Sequence, residues 1–178
     1  MKLRATGLQG VHVVEIEALE DARGMFARTF CADEFRRLGL DPHVAQCSVS
    51  SSLRRGTLRG LHWQAAPHGE AKLVRCVKGA VYDVALDLRP DSPSFRIWVA
   101  VELDAGRHEA LYLPEGVAHG YQTLADDCEM YYQMSIAYHP EAARGVRWND
   151  PAFSIRWPIA NPILAERDAT YPDFKLNP

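Results

Sequence analysis

"KLVRCVKGAVYDVALDL", Lys72 to Leu88, decides the fold class. The stretch is dense in Val, Leu and Tyr, which fit a pleated, half-buried surface, and "VKGA" at its middle supplies a glycine where the chain must reverse. The same signal extends in both directions. "VHVVEIEAL", "GMFARTF", "HVAQCSVS" and "TLRGLHWQ" precede it; "FRIWVAVEL", "EALYLP" and "EMYYQMSIAY" follow. Turn residues in "RRG", "RPDSP", "DAGR", "PEG" and "LADD" separate the runs. In the middle of the chain only "CADEFRRLGL", Cys31 to Leu40, reads as a helix, with Phe35 and Leu38 three apart and Gly39 in position to cap its end. Many short strands predict an all-β protein. An open sheet of this size leaves long unpaired edges, so two packed antiparallel sheets in a jelly roll are the expected architecture.

The last forty residues differ. Prolines at 140, 151, 158, 162, 172 and 178 interrupt any long regular element, because proline cannot donate to a sheet ladder. The division expected is a β-sandwich over 1–138 and a Pro-rich tail over 139–178. That tail would carry short helical turns, for instance in "ILAERDA", and be anchored by Trp148, Phe153 and Trp157. With 178 residues, 47% hydrophobic content and no Gly/Ser linker or repeat, a single domain over 1–178 is expected.

Charge narrows the function classes. A net charge of -3 gives no cationic excess to condense on a nucleic-acid backbone or an anionic membrane, so neither partner is expected. No apolar run is long enough to cross a bilayer and none follows the two cations of "MKLRATGLQG", so a cytoplasmic protein is expected. Cys31, Cys47, Cys76 and Cys128 lie far apart without a CxxC pair, and reduced, mostly buried thiols are the expectation.

The chemistry enters at "TLRGLHWQ". Strict alternation puts Leu58, Gly60, His62 and Gln64 on one face, with Gly60 opening space in front of the imidazole, and it sends Arg59 to the other face. A bulge at Gly60, or a bend in the long arginine stem, would bring Arg59 back. "YLPEGVAHGY" adds a tight Pro114–Gly116 turn followed by His119. This P-x-G-x-x-H pattern resembles the second motif of the cupin jelly rolls, many of which bind metal there. The first cupin motif needs two histidines flanking one residue; here His62, Trp63 and Gln64 stand in a row, so a metal site is not expected.

Four motifs taken together are more specific. "RGTLRGLHWQ", "AKLVRCVKGAVYDVALDLRPDSPSF", "LYLPEGVAHGY" and "GVRWNDPAFSIRWP" resemble the dTDP-4-dehydrorhamnose 3,5-epimerase family, metal-free cupins acting on nucleotide-linked 4-keto-6-deoxy sugars. The likeness runs from "DARGMF" to "AERD". It implies a homodimeric, cofactor-independent isomerase that removes a proton beside a ketone and returns one from the opposite face. By resemblance His62 is the base, Asp168 in "LAERDA" fixes its tautomer, and Tyr132 in "EMYYQMS" is the acid across the ring. Lys72 and Arg59 match cations beside the sugar and its phosphates, His119 and Tyr138 line the pocket, and Arg23, with Phe26 near the nucleotide base, reaches in from the partner subunit.

Each assignment has a plainer competitor. His62 could be a satisfied structural histidine, Asp168 a helix cap and Tyr132 core filling, while Arg54 and Arg55 fit a solvated turn. Arg28 and the pair Ser48–Val49 depart from typical family members, which carry a carboxylate at the first position and Asn–His at the second. The nucleotide base and the number of carbons inverted therefore stay open. So do three other readings: a single-centre epimerase on another nucleotide sugar, a sugar-nucleotide 3,4-ketoisomerase and a non-catalytic sugar-binding cupin.

Overall fold

A computed structural model describes residues 1–175; positions 176–178, the end of the expected tail with its Pro178, lie outside the described residues. The strands, in chain order, are β1 (Lys2–Ala5), β2 (His12–Glu15), β3 (Ala18–Asp21), β4 (Gly24–Ala27), β5 (Gln46–Ser52), β6 (Leu58–Gln64) and β7 (Lys72–Lys78). They continue with β8 (Ala80–Asp87), β9 (Trp98–Asp104), β10 (Ala110–Leu113), β11 (Val117–Thr123), β12 (Cys128–Met134) and β13 (Ala143–Gly145). Helix α1 (Ala32–Arg37) stands between β4 and β5, and the single-turn α2 (Glu166–Ala169) lies near the C-terminus.

The architecture is the expected all-β jelly roll of two packed antiparallel sheets. One has six strands in the order β1-β2-β10-β7-β12-β5, the other five in the order β13-β6-β11-β8-β9, and β3 with β4 form a separate hairpin. "VKGA" is the turn between β7 and β8, and because Gly79 there has φ +77° with Cys128 pressed against it, the chain crosses from one sheet to the other on a residue without a side chain.

The main core fills the space between the sheets, with Val13, Val74 and Leu111 facing Val81, Leu103 and Tyr121. The outer faces are covered as well. Phe35 of α1 packs with Phe30, Leu73 and Tyr112 on the back of the six-stranded sheet. On the back of the five-stranded sheet, Val146, Phe153, Ile155, Trp157 and Phe174 pack against Leu61, Val84 and Leu86. A strand covered on both sides has no reason to alternate polar and apolar residues, which is why β8 reads as a nearly continuous apolar run. Helix α1 ends as its glycine predicts: Leu40 N–H donates to Phe35 C=O at 2.9 Å and Gly39 N–H to Arg36 C=O at 3.2 Å, with Gly39 at φ +74°.

Of the residues expected to anchor the tail, Phe153 is buried and Trp157 joins its cluster, whereas Trp148 is half-buried and contributes its carbonyl, which accepts the Trp157 indole N–H at 2.8 Å. Gln122 of β11, fully buried, also holds the tail by exchanging two hydrogen bonds with the Ile159 main chain. The cysteines correct one expectation: all four are free thiols, but only Cys76 and Cys128 are buried, while Cys47 is exposed.

The decisive local feature is the pairing of β6 with β11. His62 stands opposite His119, but Arg59 stands opposite Tyr121, so Gly60 and Leu61 together oppose Gly120. That is a bulge of one extra residue, and it reverses the facing of everything before it. The alternation expected from the sequence is corrected here: Leu58 pairs with Gln122 on the tail side, while Arg59 joins His62 on the inner side. Only glycine fits, because a Cβ at Gly60 would lie 2.5 Å from Gly120 Cα and 2.7 Å from the His119 carbonyl, at φ +120°. Gly60→Ala is therefore expected to cost about 3 kcal/mol or more, read as a drop in the denaturant midpoint; a loss under about 1 kcal/mol would mean that the strands separate without penalty.

Candidate active site

A cleft of about 440 Å³ opens between the two sheets at the bulge. From the five-stranded sheet come Arg59, His62 and His119; from the six-stranded sheet come Lys72, Tyr132 and Met134. Tyr138, Arg144, Arg167 and Asp168 close the rim. The cleft thus gathers seven of the nine residues singled out in the sequence. The other two, Arg23 and Phe26, sit on the β3–β4 hairpin, outside it.

His62 and Asp168 meet although 106 residues separate them. The imidazole Nε2 lies 2.7 Å from Asp168 Oδ1, and the other carboxylate oxygen accepts the Gly60 N–H at 3.1 Å. Asp168 is 4% exposed. Burial alone pushes its pKa up, but the His62 hydrogen bond and charge, helped by the Gly60 amide, outweigh it and hold the carboxyl below its ordinary value. An ionised Asp168 fixes the proton on Nε2 and leaves Nδ1 as the nitrogen without a partner among the described residues. Tyr171 stands edge-on to the imidazole, 6.2 Å between ring centroids, and fits because Gly145 offers no Cβ to meet its ring.

A second histidine–carboxylate pair lies deeper. His119 Nε2 is 2.9 and 3.0 Å from the two oxygens of Asp83, which has no exposed surface. Desolvation raises the Asp83 pKa, against the pull of His119 and Lys72. The Tyr132 ring sits 6.0 Å from that of His119. Burial raises the Tyr132 pKa well above the ordinary phenol value, the neighbouring Tyr121 and Asp83 raise it further, and Arg59 opposes them, so the hydroxyl keeps its proton. Tyr131, one residue earlier, faces the other side of the sheet beside Cys47.

The cations are held in place. Arg59 donates to Ser52 Oγ at 3.3 Å and to the Ser51 carbonyl at 2.9 Å. Lys72 Nζ bridges Glu70 at 2.9 Å and the His62 carbonyl at 3.2 Å. Of the two departures noted in β5, Ser48 lines the cleft whereas Val49 is exposed on the opposite face and takes no part in it. Arg28 pairs with Glu34 at 3.0 Å, away from the cleft. Sequence reasoning missed Asp83, Gly120, Gly145, Arg167 and Tyr171; the glycines carried a signal, since each stands where another chain segment must come close.

Comparison with known proteins adds a family. Residues 5–175 match the family model for dTDP-4-dehydrorhamnose 3,5-epimerase. The chain belongs to that family. It is 39% identical over 169 residues to the dTDP-4-dehydrorhamnose 3,5-epimerase of Shigella flexneri, covering 94% of this chain and 93% of the relative. It is also 39% identical to a dTDP-4-dehydrorhamnose 3-epimerase of Streptomyces niveus, covering 94% of this chain and 81% of the relative. The crystal structure of the Bacillus anthracis enzyme with TDP and PPi bound superposes with a TM-score of 0.94 at 36% identity, covering 97% of this chain and 99% of that one. This member of the epimerase family is therefore an isomerase.

The Asp168 pair makes a prediction with a definite sign. Its folded pKa lies below the unfolded one, so the stabilisation is complete above the ordinary carboxylate value near 3.9 and disappears as pH falls through the lower folded value. Asp168→Asn should lower stability by about 2 kcal/mol at pH 7. The gap to the parent should narrow only below about pH 4. Urea midpoints measured across pH check this, and a gap constant down to pH 2 would contradict it.

Proposed function

We propose that this chain inverts carbon 3, carbon 5 or both in a 4-keto-6-deoxyhexose carried on a nucleotide diphosphate, with dTDP-4-dehydro-6-deoxyglucose becoming dTDP-4-dehydrorhamnose as the first candidate. The observation that carries the reading is that a carboxylate-backed imidazole and a phenol with a raised pKa stand on opposite sheets and face one cleft. Inversion beside a ketone needs that arrangement: one group removes the proton and another returns one from the far side.

In this reading His62 Nδ1 takes the proton from the carbon beside the ketone while Asp168 stabilises the imidazolium that forms. The electron pair moves onto the carbonyl oxygen as an enolate. Lys72 and Arg59 are the nearest cations to meet that charge or the diphosphate, and His119, fixed by Asp83, is a donor on the same wall. Tyr132 gives its proton to the other face and regains one from solvent. No group leaves and no electron is lost, so the reaction balances without a cofactor. A ketoisomerase would instead transfer the carbonyl to carbon 3, and the product distinguishes the two.

The same reading makes the protein a homodimer in the cytoplasm. The β3–β4 hairpin is its support: Leu19 and Phe26 are 74% and 75% exposed, and Arg23, salt-bridged to Asp21, projects from the tip. A hairpin so bare on its own subunit suits a reach into a neighbour's cleft. Among the described residues no helix is long and apolar enough to cross a membrane.

Three variants test the proposal. In heavy water with dTDP-4-dehydro-6-deoxyglucose, the enzyme should place deuterium at carbon 3, carbon 5 or both, and His62→Asn should slow exchange by about 10²-fold or more while the protein stays folded. Tyr132→Phe deletes the donor but keeps the ring, so label should enter with configuration largely retained; normal inversion would mean that the acid lies elsewhere. Unchanged exchange in His62→Asn would exclude it as the base. For the dimer, mixing inactive His62→Asn with Arg23→Ala should restore about a quarter of full activity, since half the dimers are mixed and each has one intact site. No recovery would place Arg23 outside the partner's cleft.

A further inference from the structure

Behind the wall of the cleft, His68, His139 and Glu141 converge from two loops that are distant in sequence. The imidazole rings stack at 3.7 Å between centroids with planes 16° apart. Glu141 Oε1 lies 3.0 Å from His139 Nδ1 and 3.9 Å from His68 Nε2, and the three donor atoms all lie within 4.8 Å of one another.

We propose that these three side chains bind one divalent transition-metal ion of the zinc class. Tetrahedral zinc holds nitrogen and oxygen donors at about 2.0–2.1 Å, which sets them about 3.3 Å from each other. The His139–Glu141 distance is already near that value, while the two imidazoles, stacked nearly parallel without the ion, must turn about their side-chain bonds so that both nitrogen lone pairs point at it. Two imidazoles and a carboxylate favour zinc, cobalt or nickel over calcium and magnesium, which prefer all-oxygen shells. All three side chains are open to solvent, so an ion has access and water can take the fourth position.

The site is built into the main chain. One buried amide, Gln64, accepts the His139 N–H at 2.6 Å and donates to the His68 carbonyl at 3.2 Å and the Ala137 carbonyl at 3.3 Å. Both histidine-bearing loops are therefore fixed on the residue that also lines the cleft. Fixing the main chain that carries the ligands before the ion arrives leaves only side-chain rotation to be lost on binding. A bound ion would tie the β6–β7 loop to the segment after β12.

The test uses full-length, tag-free protein stripped with chelator. Titration with cobalt should produce visible absorption bands that saturate at one equivalent, and zinc should displace the cobalt and raise the melting temperature. His139→Gln and Glu141→Ala should each weaken zinc at least tenfold, while His62→Asn keeps the affinity. Glu141 is exposed, so its variant reads binding without unfolding the protein. The proposal is overturned if no saturable band appears, if both loop variants bind as tightly as the parent, or if His62→Asn abolishes binding and so moves the ion into the cleft.

Discussion

The His62 wall of the cleft depends on one carboxylate. Asp168 arrives from the far end of the chain, is nearly buried, and spends one oxygen on the Gly60 amide and the other on the His62 imidazole. Hydrogen bonds to a charged acceptor contribute about 1.5–3 kcal/mol each, enough to hold a strand in a shape that its own register would not choose. The bulge that Gly60 permits, and that its bond to Asp168 braces, turns Arg59 inward beside His62 and leaves Leu61 to pack on the tail. Strand geometry and imidazole tautomer therefore have one source in Asp168.

The two sheets contribute different side chains to the cleft. A jelly roll with both outer faces covered is rigid, and side chains rooted on opposing sheets cannot collapse together without disturbing a packed core. Imidazole and phenol therefore keep to opposite walls. The polar groups between them are held locally: Lys72 pairs with Glu70, the His119 imidazole bonds Asp83, and Arg59 is fixed by the neutral Ser51 carbonyl and Ser52 hydroxyl, so the cleft holds oriented donors and at least one cation without a carboxylate partner among the described residues. Such groups need not reorganise when an oxyanion forms, which is the condition under which fixed dipoles and cations stabilise it most.

The sequence disclosed the strands better than it disclosed their edges. β7 and β8 were legible because they are buried on both sides and rich in β-branched residues. β1 and β13 were not: "KLRA" is mostly exposed at a sheet edge, "ARG" is three residues long, and each is a strand only because a neighbour pairs with it. Cys31 to Leu40 declared itself through Gly39. In the cleft, periodicity set Arg59 on the wrong face because a count of two per strand residue cannot register an inserted one; Gly60 was the only local mark of it. Asp83 was hidden for the opposite reason. Inside an apolar strand it looks like a stray charge until His119 is seen beside it.

Packing differs sharply between the cleft and the hairpin. His62, Tyr132, His119 and Lys72 all project from strands inside the covered sandwich, where a change of one side chain disturbs packing on two sides. Arg23, Phe26 and Arg28 stand on or next to a hairpin with almost no packing of its own, and Ser48 lies on β5, the edge of its sheet. Substitution there costs the fold little. Stability therefore constrains the cleft side chains on the inner strands and hardly touches the hairpin and the sheet edge, which are free to vary. The departures noted in this chain fall where that logic puts them: Arg28 at the foot of the hairpin and Ser48 at the edge strand.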